Sequence, residues 1–302
     1  MSRSDTKLKS FNRIHKSKPI LFINTSVITK ISILKLLNIK IHLVVNIECI
    51  VLAELVYHDI FDNILTNNNE SHIILSHIFN KKEKHLGFTL NHHYFKNVIK
   101  KPKNKNDIIK FFCIGGLNSL SRKNIDIIIQ SFYNIFNEKK YMNWELTIYI
   151  EGVEIPPILN KYKCINIKYY IEHFSYKHII DKYIENDICI HLGTHEGLGL
   201  GFYESIHCGT PMVTLNWYPN NEIIQNYNNG WLLNCNFTNL NDGNCTIINK
   251  GVVSEYILRK KIIEILSDKY NTFQIIKSTY NNRENIIMKH KTMFESNLLD
   301  IL

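Results

Sequence analysis

"ICIHLGTHEGLGLGFYESIHCGTPMVTL", residues 188–215, is the stretch on which the fold turns. It opens on an apolar run of strand length that stops at Gly193, crosses a glycine-rich turn and enters a short helix from Phe202 to Cys208. Gly209 suits the left-handed position just past a helix, and "PMVTL" then reads as another buried strand. A strand, turn, helix and strand in this order is the repeating unit of a parallel α/β sheet.

The same alternation extends in both directions. Upstream, "DIIKFFCI" (107–114) is a continuous apolar run suited to a buried parallel strand, and it stops at Gly115 and Gly116. "NIDIIIQSFYNIF" then sets Ile125, Ile128, Ile129, Phe132 and Phe136 on one helical stripe. "WELTIYIEG" and "INIKYYI" read as strands, and "SYKHIIDKYIEN" as an amphipathic helix with Ser175 as its N-cap. Downstream, "NNEIIQNY" predicts a helix and "GWLLN" a strand. Short connections between such elements favour a doubly wound parallel sheet with right-handed crossovers.

The first hundred residues predict a smaller α/β unit. "PILFINTSVI", "KIHLVVNIE" and "HIILSHIF" read as strands, with "VLAELVYHDIFDNIL" as a helix between them. "KNVIKKPKNKNDIIK" (96–110), with Pro102 and its asparagines, has the composition of a solvated linker. At the far end "GVVSEYILRKKIIEILSD" and "NNRENIIMKHKTMFESNLLDIL" read as helices. The expected organisation is an N-terminal α/β domain over 1–105, a larger domain over 106–282, and a C-terminal helix over 283–302 with the option of packing back on the first domain.

Composition narrows the function classes. With 302 residues and 45% hydrophobic content the chain can fill sizeable cores. No run reaches the roughly 18 uncharged apolar residues of a membrane span, and no secretory signal is read at the start, so the expectation is a cytoplasmic protein without a transmembrane segment. The seven cysteines show no C-x-x-C pair. The net charge of +9 invites a nucleic-acid reading. Its lysines are scattered through a Lys/Asn/Ile-biased chain, however, and no nucleic-acid partner is expected.

In parallel sheets ligands sit beyond the carboxyl ends of the strands. Both glycine turns, "GGLNSLSRKNID" after "FFCI" and "GTHEGLGLGFYE" after "ICIHL", lie at such places. Each frees backbone N–H groups to approach an anion at a helix start, so a phosphate is the natural ligand. Arg122 and Lys123 stand ready to add charge. Neither G-x-x-x-x-G-K-[ST] nor G-x-G-x-x-G is satisfied in the first turn. Glu196 and Glu204 repel phosphate but accept hydrogen bonds from hydroxyls, which points to ribose and sugar on either side of a diphosphate. A loop charge at Glu196 and a helix-surface residue at Glu204 are the plainer reading of the same residues.

Over residues 108–235 the sequence resembles the retaining glycosyltransferases of family four, which have the two-domain GT-B fold. The residues that carry it are Glu196, Gly197, Gly199, Leu200, Glu204, Cys208, Gly209, Thr210 and Pro211, with Glu222 a looser match. "IGGLNSLSRKNIDIIIQSF" (114–132) resembles the family's donor-diphosphate turn: Lys123 matches its lysine, and Gly116 stands where an arginine is usual, so Arg122 is the candidate substitute. "HLGFTLNHHYF" (85–95) is similar to an interdomain segment of some members.

The resemblance implies a GT-B-like fold whose C-terminal domain is a Rossmann-like doubly wound parallel sheet, beside a shortened α/β N-terminal domain. It implies hexosyl transfer from a nucleotide-diphosphate sugar, with retention, no metal and no cofactor. The implied catalytic residues are Glu196 and Lys123. The implied donor-binding residues are Gly115, Gly116, Arg122, Lys123, Glu196, Gly199, Leu200, Gly201 and Glu204. Partners would be the donor, an unspecified glycan, protein or lipid acceptor, a membrane surface at the periphery, and a second chain. The acceptor half lacks the family's opening glycine loop, and His58, His72 and His77 are not distinguished as a catalytic histidine. A catalytically silent or partner-dependent sugar-nucleotide-binding subunit is the alternative, with an epimerase or a phosphorylase on the same fold behind it.

Overall fold

The computed structural model describes residues 20–23, 40–47, 59–79, 83–101, 103–104, 106–115, 121–152, 157–239 and 249–301. They fall into two compact units. The first comprises Met1–Gly87, Asn241–Thr246 and Phe294–Leu302; the second comprises Phe88–Leu240 and Ile247–Met293.

In the first unit the described strands are β1 (Ile20–Ile23), β2 (Ile41–Val45), β3 (Asn63–Thr66) and β4 (Glu83–His85). They pair in sequence order, all parallel. Helix α1 (Asn69–Phe79) links β3 to β4 and buries Leu75 and Phe79. Two expectations change here. "HIILSHIF" lies inside α1, because Asn68 Oδ1 accepts the Ser71 backbone N–H at 2.8 Å and caps a helix start that an apolar run alone does not reveal. "DNIL", expected to end a helix, enters β3, where its backbone pairs with β2 and Asn63 Nδ2 meets His42 Nδ1 at 2.9 Å. The rest of that expected helix, with His58, lies outside the described residues apart from its last turn.

The second unit is built on six parallel strands: β5 (Ile109–Gly115), β6 (Trp144–Glu151), β7 (Ile167–Glu172), β8 (Ile188–His191), β9 (Met212–Leu215) and β10 (Gly230–Leu233). Their order is β10-β9-β8-β5-β6-β7. The chain winds outward from β5 to β7, returns to place β8 beside β5, and winds the other way to β10. Helices α2 (Ile125–Glu138), α3 (Pro157–Lys161), α4 (Tyr176–Glu185), α5 (Leu200–His207) and α6 (Asn220–Ile223) are the crossovers. The order reverses between β5 and β8, and that reversal opens a crevice at the carboxyl ends of those two strands.

Both faces of this sheet are covered, which is why its central strands read as unbroken apolar runs. Along β5, Phe111 and Cys113 join the cluster formed with α2, while Phe112 points into the opposite cluster with Tyr183 and Phe202. Ser175 caps α4 through its Oγ, which accepts the His178 N–H at 3.3 Å. Gly209 takes φ +66° after α5, and a Cβ there would lie 2.8 Å from Tyr280 Cα, so both handedness and close packing require glycine.

The helix expected over "NNEIIQNY" closes after Ile223, because Asn229 donates to the Ile223 carbonyl at 3.1 Å and accepts the Gln225 N–H at 2.6 Å. An antiparallel pair, β11 (Asn236–Asn239) and β12 (Asn249–Val252), precedes α7 (Glu255–Ser267) and the long α8 (Lys269–Ile301).

Candidate functional site

Residues 121–124, the described end of the first glycine turn, meet the second turn at the β5/β8 crevice and are tied to it by hydrogen bonds. Thr194 N–H donates to the Arg122 carbonyl at 2.9 Å, and Asn124 Nδ2 donates to the Leu192 carbonyl at 2.8 Å. Asn124 is left-handed, φ 50°, where the turn enters α2. Gly251 N–H donates to the Thr194 carbonyl at 2.7 Å, so the hairpin before α7 braces the same turn.

Glu196 lies over the end of β8 with its side chain only 10% exposed. Arg122 Nη1 donates to its Oε1 at 2.9 Å and to the His195 carbonyl at 3.0 Å. His191 Nε2 approaches the same oxygen at 3.3 Å. Burial, followed by the charges of Lys123 and Arg122, holds the His191 imidazole well below its usual pKa, so the neutral ring meets Glu196 as an Nε2–H donor. A Cβ on Gly193 would lie 2.5 Å from Glu196 Oε1. Glycine at that position is what lets the carboxylate lie back across the strand.

Glu204 is one turn inside α5 and 9% exposed. Burial raises its pKa; the neighbouring Tyr176 hydroxyl, the Lys123 ammonium and the Tyr183 hydroxyl act against that rise. Gly201 stands between the two carboxylate neighbourhoods: a Cβ there would lie 3.1 Å from Tyr183 Oη and 3.8 Å from His191 Cδ2. Gly199, at φ +71°, begins α5, and a side chain there would run into the Phe202 ring. Glycine at 199 and at 201 thus keeps side-chain bulk low at the start of α5, where the first backbone N–H groups of a helix lack partners within it.

The structure thus gathers Arg122, Lys123, Glu196, Gly199, Gly201 and Glu204 around one strand end, with Gly115 closing β5 and the exposed Leu200 at the start of α5. Gly116 lies outside the described residues. The cations divide their work: Arg122 pairs with Glu196, while Lys123 acts on Glu204 and on His191. Sequence reasoning missed His191, Tyr176 and Tyr183. The one available signal was a histidine closing an otherwise apolar strand just before Gly193; the tyrosines belong to a helix whose contact with α5 no spacing reveals. Of the histidines left open in the first unit, His72 pairs with the buried Glu83 at 2.7 Å, and His77 bonds the Ile73 carbonyl at 2.6 Å on the face of its own helix. Among the described residues no three His, Cys, Asp or Glu side chains are gathered as a metal ion would need, and no helix is long and apolar enough to cross a membrane.

A family model described as glycosyl transferases group 1 matches residues 95–265. The chain belongs to this family. No curated protein sequence matches it. Solved glycosyl transferase structures superpose over nearly all of it. The GtfA/B complex matches with a TM-score of 0.66 at 15% identity, over 99% of this chain and 59% of that one. HepE from Anabaena, in complex with UDP and glucose, matches at 0.69 and 12% identity, over 98% and 81%. The pneumococcal O-GlcNAc transferase GtfA, in complex with UDP and GlcNAc, matches at 0.67 and 16% identity, over 98% and 60%. At such identities the likeness shows the fold, which is GT-B with a Rossmann-like parallel sheet. The chain spans 59% of the length of the first of these relatives.

Proposed function

We propose that the second unit binds a nucleotide-diphosphate sugar at the β5/β8 crevice, and that the protein transfers the sugar to an acceptor hydroxyl with retention and without a metal ion, as family-four members do. The observation that carries this reading is the pair of buried carboxylates, Glu196 and Glu204, flanking an open helix start beside Lys123. The UDP and sugar bound in the HepE and GtfA structures support it by likeness of fold.

The roles follow from charge. Glu204, steadied by two tyrosine hydroxyls, accepts the ribose hydroxyls. Glu196 is held by Arg122 and His191 and accepts from the donor sugar. As the bond from the anomeric carbon to the diphosphate oxygen breaks, negative charge grows on the leaving group. Lys123 and the N–H groups at the start of α5, set in place beforehand, stabilise that charge. The acceptor oxygen bonds the same face of the sugar, and its proton passes to the departing phosphate oxygen. Arg122, already engaged by Glu196, orients that carboxylate and leaves the diphosphate to Lys123.

Calorimetry with UDP, GDP and ADP sugars tests the assignment. One of them binds, and Glu204→Ala weakens that binding by about 1 to 3 kcal/mol, the cost of a lost hydrogen bond to a charged group. Wild-type affinity in that variant removes the reading. EDTA leaves transfer unchanged, and a strict need for added metal counts against the metal-free mechanism. The GtfA/B complex among the similar structures favours a second reading in which the donor unit turns over only with another chain. Donor binding without transfer by the purified protein, restored by a partner, distinguishes the two.

A further inference from the structure

At the opposite end of the six-stranded sheet, the segment before β5 crosses the amino ends of β5 and β8 and meets α8, enclosing a cleft of about 850 Å³. Five lysines line it: Lys100, Lys101, Lys103, Lys110 and Lys277. Two carboxylates line the cleft and both are engaged, as is Glu145, which lies beside Lys110 on β6 and pairs with Lys168 at 2.7 Å. Asp187 Oδ2 accepts the Lys110 backbone N–H at 2.7 Å and Lys103 Nζ at 3.0 Å, and Glu185 pairs with Lys182 at 2.8 Å. Lys100 Nζ donates to a neutral acceptor, the Asn186 carbonyl, at 2.7 Å. Lys101, Lys110 and Lys277 hold no side-chain partner among the described residues. Behind the ammonium groups stands an apolar wall that includes Ile184, Phe273 and Ile276.

The unbalanced charge is the point. Lysines scattered over a basic chain repel one another and spread into solvent; here residues from three separate segments, 100–110, 184–187 and 277, converge on one concavity. We propose that this cleft is a second ligand site, which takes a phosphate-bearing anion of two or more charges and is distinct from the donor crevice. The seven residues of β5, at about 3.3 Å each, put roughly 20 Å between the two ends of the sheet. No arginine lines the cleft, so it offers point charges without a planar fork and selects by number of charges rather than by carboxylate geometry. Burial draws the Lys100 pKa down to about 8, and an anion seated against it reverses that cost.

The test uses the full-length chain, titrated calorimetrically with inorganic tripolyphosphate at low salt, in wild type, in Lys123→Ala and in the double variant Lys101→Glu, Lys277→Glu. Both lysines of the pair are exposed, so the ligand-free unfolding midpoint serves as a control and stays at the wild-type value. Binding falls by about tenfold or more in the double variant and persists in Lys123→Ala. Co-sedimentation with phosphatidylcholine vesicles, with and without phosphatidylinositol bisphosphate, identifies the source. Capture by the anionic vesicles that depends on Lys101 and Lys277 assigns a lipid headgroup; tripolyphosphate binding without capture assigns a soluble polyphosphate. The site is refuted by a double variant that binds as wild type does, by a wild type that binds neither probe, or by binding lost in Lys123→Ala instead.

Discussion

The two ends of the six-stranded sheet use the same strands for opposite purposes. At the carboxyl end, backbone turns and glycines bring Glu196 and Glu204 against Arg122 and Lys123, so charge is paired and pre-positioned. At the amino end, lysines outnumber carboxylates, and the packing is closed by Gly209 and a buried histidine, His207. The contrast teaches that parallel strand direction suits the carboxyl end to chemistry, while the amino end combines the packing of the layers with a lysine-lined cleft. Substitutions of the paired groups at the first end should change turnover, and those of the packed residues Gly209 and His207 at the second should change stability.

The largest effect expected is catalytic. Lys123→Ala lowers the transfer rate by about 10³-fold, the scale for losing a pre-positioned group that stabilises a developing anion, while its denaturation midpoint stays near wild type. A full rate in that variant breaks the division between the ends. Next, at the amino end, Gly209→Ala costs about 2 to 4 kcal/mol in chemical denaturation. It places a side chain in the left-handed region and against the Tyr280 backbone. A cost under about 1 kcal/mol would mean that α8 can yield there.

The smallest effect is a slope with pH. His207 is fully buried, stacked on His92 with ring centroids 5.8 Å apart, and neither of its ring nitrogens has a partner among the described residues. Burial, reinforced by His92 and His290, lowers its pKa from 6.5 to about 3. A depressed histidine favours the folded state above pH 6.5, and that contribution drains away as pH falls from 6.5 towards 3, at up to about 1.4 kcal/mol per unit. Thermal melts across that range should show the slope, and His207→Phe should flatten it. Glu204 has the opposite sign: its carboxyl is raised above 4.5, so its contribution is complete below that pH and lost as pH rises through the folded value. Unfolding curves of Glu204→Gln against wild type separate the two ends by the direction of their pH dependence.

Legibility differed between the units for a physical reason. The strands of the second unit are buried on both faces and bounded by glycines, so "DIIKFFCI" and "DICIHLG" mark themselves. In the first unit "HIILSHIF" is a short apolar run that strand and helix share, and the Asn68 cap settled it as helix. The candidate residues in the turns were legible because glycine and glutamate stand out at a strand end. His191, Tyr176 and Tyr183 were not, since each acquires its role from a neighbour distant in sequence.

Residue pattern alone specified an alternating α/β chain and two glycine turns, because apolar period and backbone handedness are local properties. Which turns adjoin was a matter of long-range pairing: β8 lies beside β5 and not beside β7. That placement brings Arg122 to Glu196 and Lys123 towards Glu204. It also leaves five lysines around one cleft, because charges remote along the chain acquire a common field only once the sheet has set their positions.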